Sequence, residues 1–307
     1  MGRTHLRALT GSTSVTVAAV AEPAGAARAA VAAPGRATFE TVPDLLRAGG
    51  IDGVLIAAPT DQHLEIVSLA AAAGLPILCE KPGGIDSREV GLVREVVARR
   101  GVPLQVAYWR RYVPELQALR ARIHAGELGI IHLYASFQWD SQPPAITFRT
   151  HSGGIFRDMG VHEFDQVRWL SGQEFEDVWA VAAPRSDDPA IGNDPDSAQA
   201  IARLSGGSSA FVSLGRYFPG GDMARVEVFG EHDAVRSDFL DPKDGEQAQL
   251  DALVRQADGF VRFASGGPPS GASADDAVAA IEAAERAWAA IQPLRGRPAM
   301  QTAGGPR

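Results

Sequence analysis

Apolar residues follow two rhythms along this chain, and the rhythm changes near Tyr108. Before it, short continuous apolar runs stand at Val15–Ala21, Gly53–Ala58, Pro76–Cys79 and Pro103–Ala107. Helical patterns separate them, at Ala24–Ala32, Val42–Arg47, Gln62–Ala73 and Ser87–Arg100, the last with Asp86 or Ser87 as its N-cap. Continuous apolar strands are those covered on both faces. Strands alternating with helices in this way predict an α/β unit with a doubly wound parallel sheet.

After Tyr108 the pattern predicts a helix at Pro114–Ala125, a strand at Ile130–Trp139 and a helix at Ile155–Leu170. Strand-like stretches then follow one another at Val178–Ala183, Ala198–Leu204, Ala210–Tyr217 and Ala224–Phe229, with an acidic loop at Arg185–Asp196. Strands without intervening helices predict an antiparallel sheet. Two late helices are expected at Glu246–Phe263 and Ala274–Ile291. The expected organisation is a first domain over residues 1–108, an α+β domain with a large open, mainly antiparallel sheet over 109–293, and a flexible tail over 294–307.

Composition narrows the picture. A formal net charge of -8 provides no basic footprint, which argues against nucleic acid. The single cysteine, Cys79, sits inside an apolar run and reads as a small buried hydrophobe; one unpaired thiol suits a reducing cytoplasm, the expected location. No apolar run approaches the roughly 20 residues of a membrane span, so no membrane partner is expected. The Ala-rich stretch 14–33 imitates the end of a signal peptide, but Glu22 and Pro23 cut its apolar part short.

The chemistry concentrates in two places. Glu80, Lys81 and Pro82 follow the apolar run ending at Cys79, at the carboxyl end of a parallel strand, where open α/β sheets bind ligands. Further on, Gly153 and Gly154 lead into Asp158, Gly160, His162 and Asp165. In a regular helix Asp158 and His162 are i and i+4 on one face, and Trp169 continues the stripe. Left unpaired in a core, such polar groups cost about 1–3 kcal/mol each. Two readings stand beside the functional one: a solvated helix face, and a cation held by Asp158, His162 and Asp165. Glu22 ends a strand where a carboxylate can accept from an adenosine ribose and would repel a 2′-phosphate, which favours NAD over NADP. Ala57, Ala58, Pro59, Thr60, Asp61, Gln62 and His63 form a small-residue turn into a helix.

These stretches together resemble the glucose–fructose oxidoreductase / inositol dehydrogenase (Gfo/Idh/MocA) family, from the first helix to near the C-terminus. Tyr108, Trp109, Arg110, Arg111 and Tyr112 look most like its inositol 2-dehydrogenase branch. The resemblance implies an N-terminal Rossmann domain binding NAD (NADP less so) and a sheet domain that supports a homo-oligomer, a dimer or tetramer. It also implies hydride transfer from a secondary alcohol of a cyclic polyol or sugar. By motif position, Lys81, Asp158 and His162 match the catalytic residues. Gly2, Glu22, Ala58, Pro59, Thr60, His63, Glu80, Lys81 and Pro82 fall on the cofactor side, and Gly2 matches the third fingerprint glycine. Arg111, Trp139, Asp140, Asp165 and Tyr217 are the expected substrate contacts, with Trp139 stacking on a ring face; no metal is expected. Where the family opens with a strand and two earlier glycines, this sequence opens with a helix, and the expectation is a true start upstream. The rivals are another sugar dehydrogenase or reductase of the family (for an aldose, anhydrosugar or keto-sugar) and a non-catalytic cofactor-binding remnant.

Overall fold

The computed structural model describes residues 1–150, 152–183, 194–243 and 246–291. Most of the acidic loop, the expected tail and His151 lie outside them.

In the first half, α1 (Gly2–Leu9) leads to β1 (Ala19–Ala21), α2 (Gly25–Ala30), β2 (Ala37–Phe39) and α3 (Val42–Ala48). Then come β3 (Val54–Ile56), α4 (His63–Ala72), β4 (Ile77–Cys79), α5 (Ser87–Arg100) and β5 (Leu104–Val106). All pairings here are parallel, as the continuous apolar runs predict. Asp86 caps α5 by accepting the N–H of Glu89 at 2.8 Å. The sheet is in two pieces, β1-β2 and β3-β4-β5, with no ladder between β1 and β3. The run at Val15–Ala21 pairs only over its last three residues, and β2, which has no apolar run of its own, was not legible in the pattern.

The second half holds α6 (Pro114–His124), β6 (Ile131–Trp139), α7 (Ile146–Arg149) and α8 (Val161–Ser171). Five more strands follow: β7 (Phe175–Ala183), β8 (Ser197–Leu204), β9 (Ser209–Gly215), β10 (Met223–Gly230) and β11 (Ala234–Leu240). The sheet runs β11-β10-β6-β9-β8-β7, antiparallel except for the β6–β9 pair. β11 escapes sequence reading because it is an edge strand whose exposed positions carry Arg236 and Asp238. The inner face of the sheet packs on α8 through β6 and β9; its outer face leaves Trp179, Val181, Ile201 and Phe229 exposed.

The last helices, α9 (Gln247–Ala264) and α10 (Ala274–Ala289), fold back across the first half. α9 lies on α1, and α10 packs on both α5 and α8. Glu285 of α10 accepts from the N–H and hydroxyl of Ser87 at 3.1 and 2.7 Å and from Arg157 at 3.1 Å. One carboxylate thus ties the start of α5 to the segment carrying Asp158.

Candidate active site

Lys81 leaves the carboxyl end of β4, and its ammonium donates to the backbone carbonyl of Asp158 at 2.7 Å. The same nitrogen lies 3.5 Å from one carboxylate oxygen of Asp158. Two groups far apart in sequence therefore meet, although each alone reads as a surface charge.

The helix between them is not regular. Phe156–Gly160 forms one π-helical turn before α8 begins at Val161. Such turns insert an extra residue into the ladder and recur at functional sites. It corrects the simple i, i+4 expectation: Asp158 makes no hydrogen bond to His162 and is turned to Lys81 and to Arg216. His162 is 8% exposed and meets the Tyr108 ring edge-on at 5.9 Å. Its Nδ1 is buried without a hydrogen-bond partner. Burial, and then the positive charges of Lys81 and Arg110, push the imidazole pKa well below its ordinary value. The ring is neutral at neutral pH, as a proton acceptor must be.

Strand alternation sorts the expected substrate contacts. Successive residues of β6 point to opposite faces. Ser136 and Gln138 face α8, where the Ser136 hydroxyl donates to Glu163 and the Gln138 amide oxygen accepts from Arg110 at 2.7 Å. Asp140, two residues on, shares that side; burial, with Asp222 and Asp158 adding to it, raises its carboxyl to about 6. Trp139 is a correction. It lies on the outer face with Phe137, its indole N–H donating to Ser213 at 3.2 Å and its ring over Gly215, so it cannot stack on a ligand beside His162.

Arg111 and Asp165 are a second correction. Their side chains form a bidentate pair at 3.0 and 2.6 Å, with Asp276 of α10 3.3 Å from Arg111. Both are buried and bind each other, so they brace the site from behind. Asp165 consequently does not converge with Asp158 and His162 on a cation. Tyr217, beside Arg216 past the end of β9, stays 38% exposed.

Sequence reasoning gave no site role to Arg110, Gln138 or Arg216. Arg110 donates to Glu163 at 2.5 Å and to Gln138, both sides nearly fully buried. Adjacent arginines 110 and 111 look alike in sequence; only the tertiary fold tells which carboxylate each meets. Removing one partner of a buried pair leaves the other charge uncompensated. Arg110→Met is therefore expected to cost about 3–5 kcal/mol in urea unfolding. Arg110→Met/Glu163→Leu should recover part of it, and an unchanged midpoint for the single variant would refute the assignment.

On the cofactor side, α1 starts at Gly2 with no side-chain cap from Met1, leaving its first N–H groups free for an anion. A Cβ on Gly2 would stand 3.8 Å from that of Ala57, so the helix start abuts the turn after β3. Glu22, past β1, accepts the N–H of Ala24 at 2.9 Å with one carboxylate oxygen. Its other oxygen has no partner among the described residues, which fits a ribose hydroxyl. Thr60 opens the turn after Ala58 and Pro59; His63 bonds the Ala58 carbonyl at 3.0 Å and holds that turn from inside. Glu80 is likewise internal: one oxygen meets His5 at 2.6 Å and the other accepts the Lys81 N–H at 3.2 Å, fixing α1 to the Lys81–Pro82 loop, whose peptide is cis. Glu80 and His63 thus build the cradle rather than line it. The fit to a dinucleotide therefore rests on Glu22 at the ribose end and on Gly2 with the start of α1.

The comparisons with known proteins bear on the family and the fold. Residues 1–108 match the oxidoreductase family with an NAD-binding Rossmann fold, and residues 116–236 match the GFO/IDH/MocA C-terminal domain. The chain is 49% identical over 287 residues to the Rhizobium meliloti rhizopine catabolism protein MocA, covering 94% of this chain and 90% of that one. It is 34% identical over 257 residues to an inositol 2-dehydrogenase of Rhizobium meliloti strain 1021, covering 83% and 78%. A crystal structure from Sinorhizobium meliloti 1021 superposes with a TM-score of 0.87 at 31% identity, covering 94% of both chains. The chain belongs to the Gfo/Idh/MocA family of NAD-binding oxidoreductases. Among the described residues no helix is long and apolar enough to cross a membrane.

Proposed function

We propose that the protein is an NAD-dependent dehydrogenase of a secondary alcohol on a cyclic polyol or sugar, of the inositol 2-dehydrogenase kind. The observation that supports this reading is the contact of Lys81 with Asp158 at the carboxyl end of β4, with the buried His162 near enough for the Lys81 charge to lower its pKa. Glu22, Gly2 and the start of α1, with Ala58, Pro59 and Thr60, would hold NAD, which supplies the hydride acceptor when bound. His162 takes the hydroxyl proton. Lys81 donates to the reacting oxygen and stabilises its alkoxide character, which lowers the proton affinity a neutral, weakly basic imidazole must overcome. Asp158 accepts from a neighbouring hydroxyl, and Asp140 from another farther round the ring; adjacent hydroxyls are what a polyol offers.

The 49% identity to a rhizopine catabolism protein favours a second substrate, a rhizopine, for the same chemistry. The test is NADH formation at 340 nm with a panel of inositols, aldoses and a rhizopine, with NADP⁺ as the comparison. Turnover with a cyclic polyol and NAD⁺ is expected; turnover confined to open-chain substrates or to NADP⁺ would overturn the reading.

A further inference from the structure

Arg216 is a fully buried charge beside Asp158, 0% exposed, and nothing in the reading above uses it. It follows the last residue of β9, and its backbone N–H donates to the Asp196 carbonyl at 2.9 Å. One guanidinium nitrogen donates to Asp158 at 3.3 Å, on the carboxylate oxygen that Lys81 does not approach. The other terminal nitrogen lies 3.3 Å from Asp194. Asp194 in turn accepts from Arg149 at 2.7 Å and from the N–H of Ile155 at 2.8 Å, where the helical segment leading to Asp158 begins. Among the described residues, neither the Nε of Arg216 nor the nitrogen near Asp194 makes a hydrogen bond.

Burying a guanidinium with an unmatched donor is costly unless its charge is needed where it sits. The charge sits behind Asp158. With one cation on each carboxylate oxygen, Asp158 is held between them, and Lys81 keeps its ammonium on the backbone carbonyl rather than closing a tight ion pair. We infer that Arg216 is a positioning residue: it holds the Asp158 carboxylate off Lys81, so that Lys81 remains available to the reacting oxygen and Asp158 to the neighbouring hydroxyl. A substrate cannot touch a fully buried Arg216, so its effect passes through Asp158. The inference rests on the reading of Lys81, Asp158 and His162 given above.

The test compares Arg216→Met, Arg216→Lys, Asp158→Asn and the double variant Arg216→Met/Asp158→Asn, with myo-inositol as probe at saturating NAD⁺. For Arg216→Met, kcat is expected to fall by about 100-fold, the size of losing one aligned charge. The KM for myo-inositol should rise as well, because the Asp158 contact to a neighbouring hydroxyl, made in the ground state, is lost together with the Lys81 contact made in the transition state. Arg216→Lys keeps the charge and should regain about tenfold of the loss. In the Asp158→Asn background, Arg216→Met should add less than about twofold, since the two act as one unit. Additive losses, or a fall in kcat that only follows the folded fraction, would overturn the inference. Full activity in Asp158→Asn would instead sink the underlying site assignment. Crystals of Arg216→Met give a readout without turnover: Asp158 should close on Lys81 to about 3 Å or less, a direct charge-assisted bond. An unmoved Asp158 would refute the positioning role.

Discussion

Lys81→Ala is expected to lower kcat by about 1,000-fold, the upper range for losing one aligned donor at a developing oxyanion. The ammonium is part-buried and anchored on the Asp158 carbonyl, so its charge acts in a poorly solvated site where it counts for more than in water. Binding of NAD⁺, followed by tryptophan fluorescence, should change by less than about threefold, because the α1 start and Glu22 carry most of the proposed cradle. Lys81→Arg should not rescue: a planar fork does not reproduce a point charge on a short reach. Stopped-flow measurement of the hydride step decides it. A variant with undiminished hydride transfer would remove Lys81 from the chemistry and leave it a strut between β4 and the π-helical turn.

His162→Gln should lower kcat by about 100- to 10,000-fold, the range for a lost general base. It should also change the shape of the pH profile. The sign follows from burial: a pKa pushed below 6.5 keeps the imidazole neutral through neutral pH, and the base is lost only as pH falls through the lowered value. The acid limb of kcat/KM in the unaltered enzyme therefore lies well below 6.5, and His162→Gln should abolish it. A separate change near 6 is assigned to Asp140, whose carboxyl sits at about 6, ionised above that pH and protonated below it. Asp140→Asn should remove that change and leave the lower limb in place. The same burial makes a stability prediction: the contribution of a neutral His162 is whole above 6.5 and declines as pH falls toward the lowered pKa. Persistence of the lower limb in His162→Gln would require a different base.

Several parts of this site were legible in the chain. Glu80-Lys81-Pro82 after a continuous apolar run places a lysine at the end of a buried parallel strand, because only such strands lack polar alternation. The Gly153–Asp165 stretch advertises a polar stripe ending in Trp169. Other parts were not. Trp139 and Gln138 are neighbours, and which faces α8 depends on register set by Met223 and Gly215 across the ladder. Arg110 and Arg111 are chemically identical, and their partners Glu163 and Asp165 lie two residues apart on α8.

Local pattern determined what is local: strand and helix periodicity, an N-cap at Asp86 or Ser87, the change of architecture near Tyr108, and the residue types able to carry proton and hydride chemistry. These depend on alternation and propensity over a few residues. Tertiary structure decided the rest. It joined Lys81 to Asp158, brought Arg216 behind that carboxylate, turned Trp139 outward, paired Arg111 with Asp165, and replaced a regular helical turn with a π turn at Phe156–Gly160. The reason is physical. A buried charge takes its role from whichever counter-charge and hydrogen-bond partners packing places within about 3 Å, and those partners come from chain segments that sequence distance does not relate.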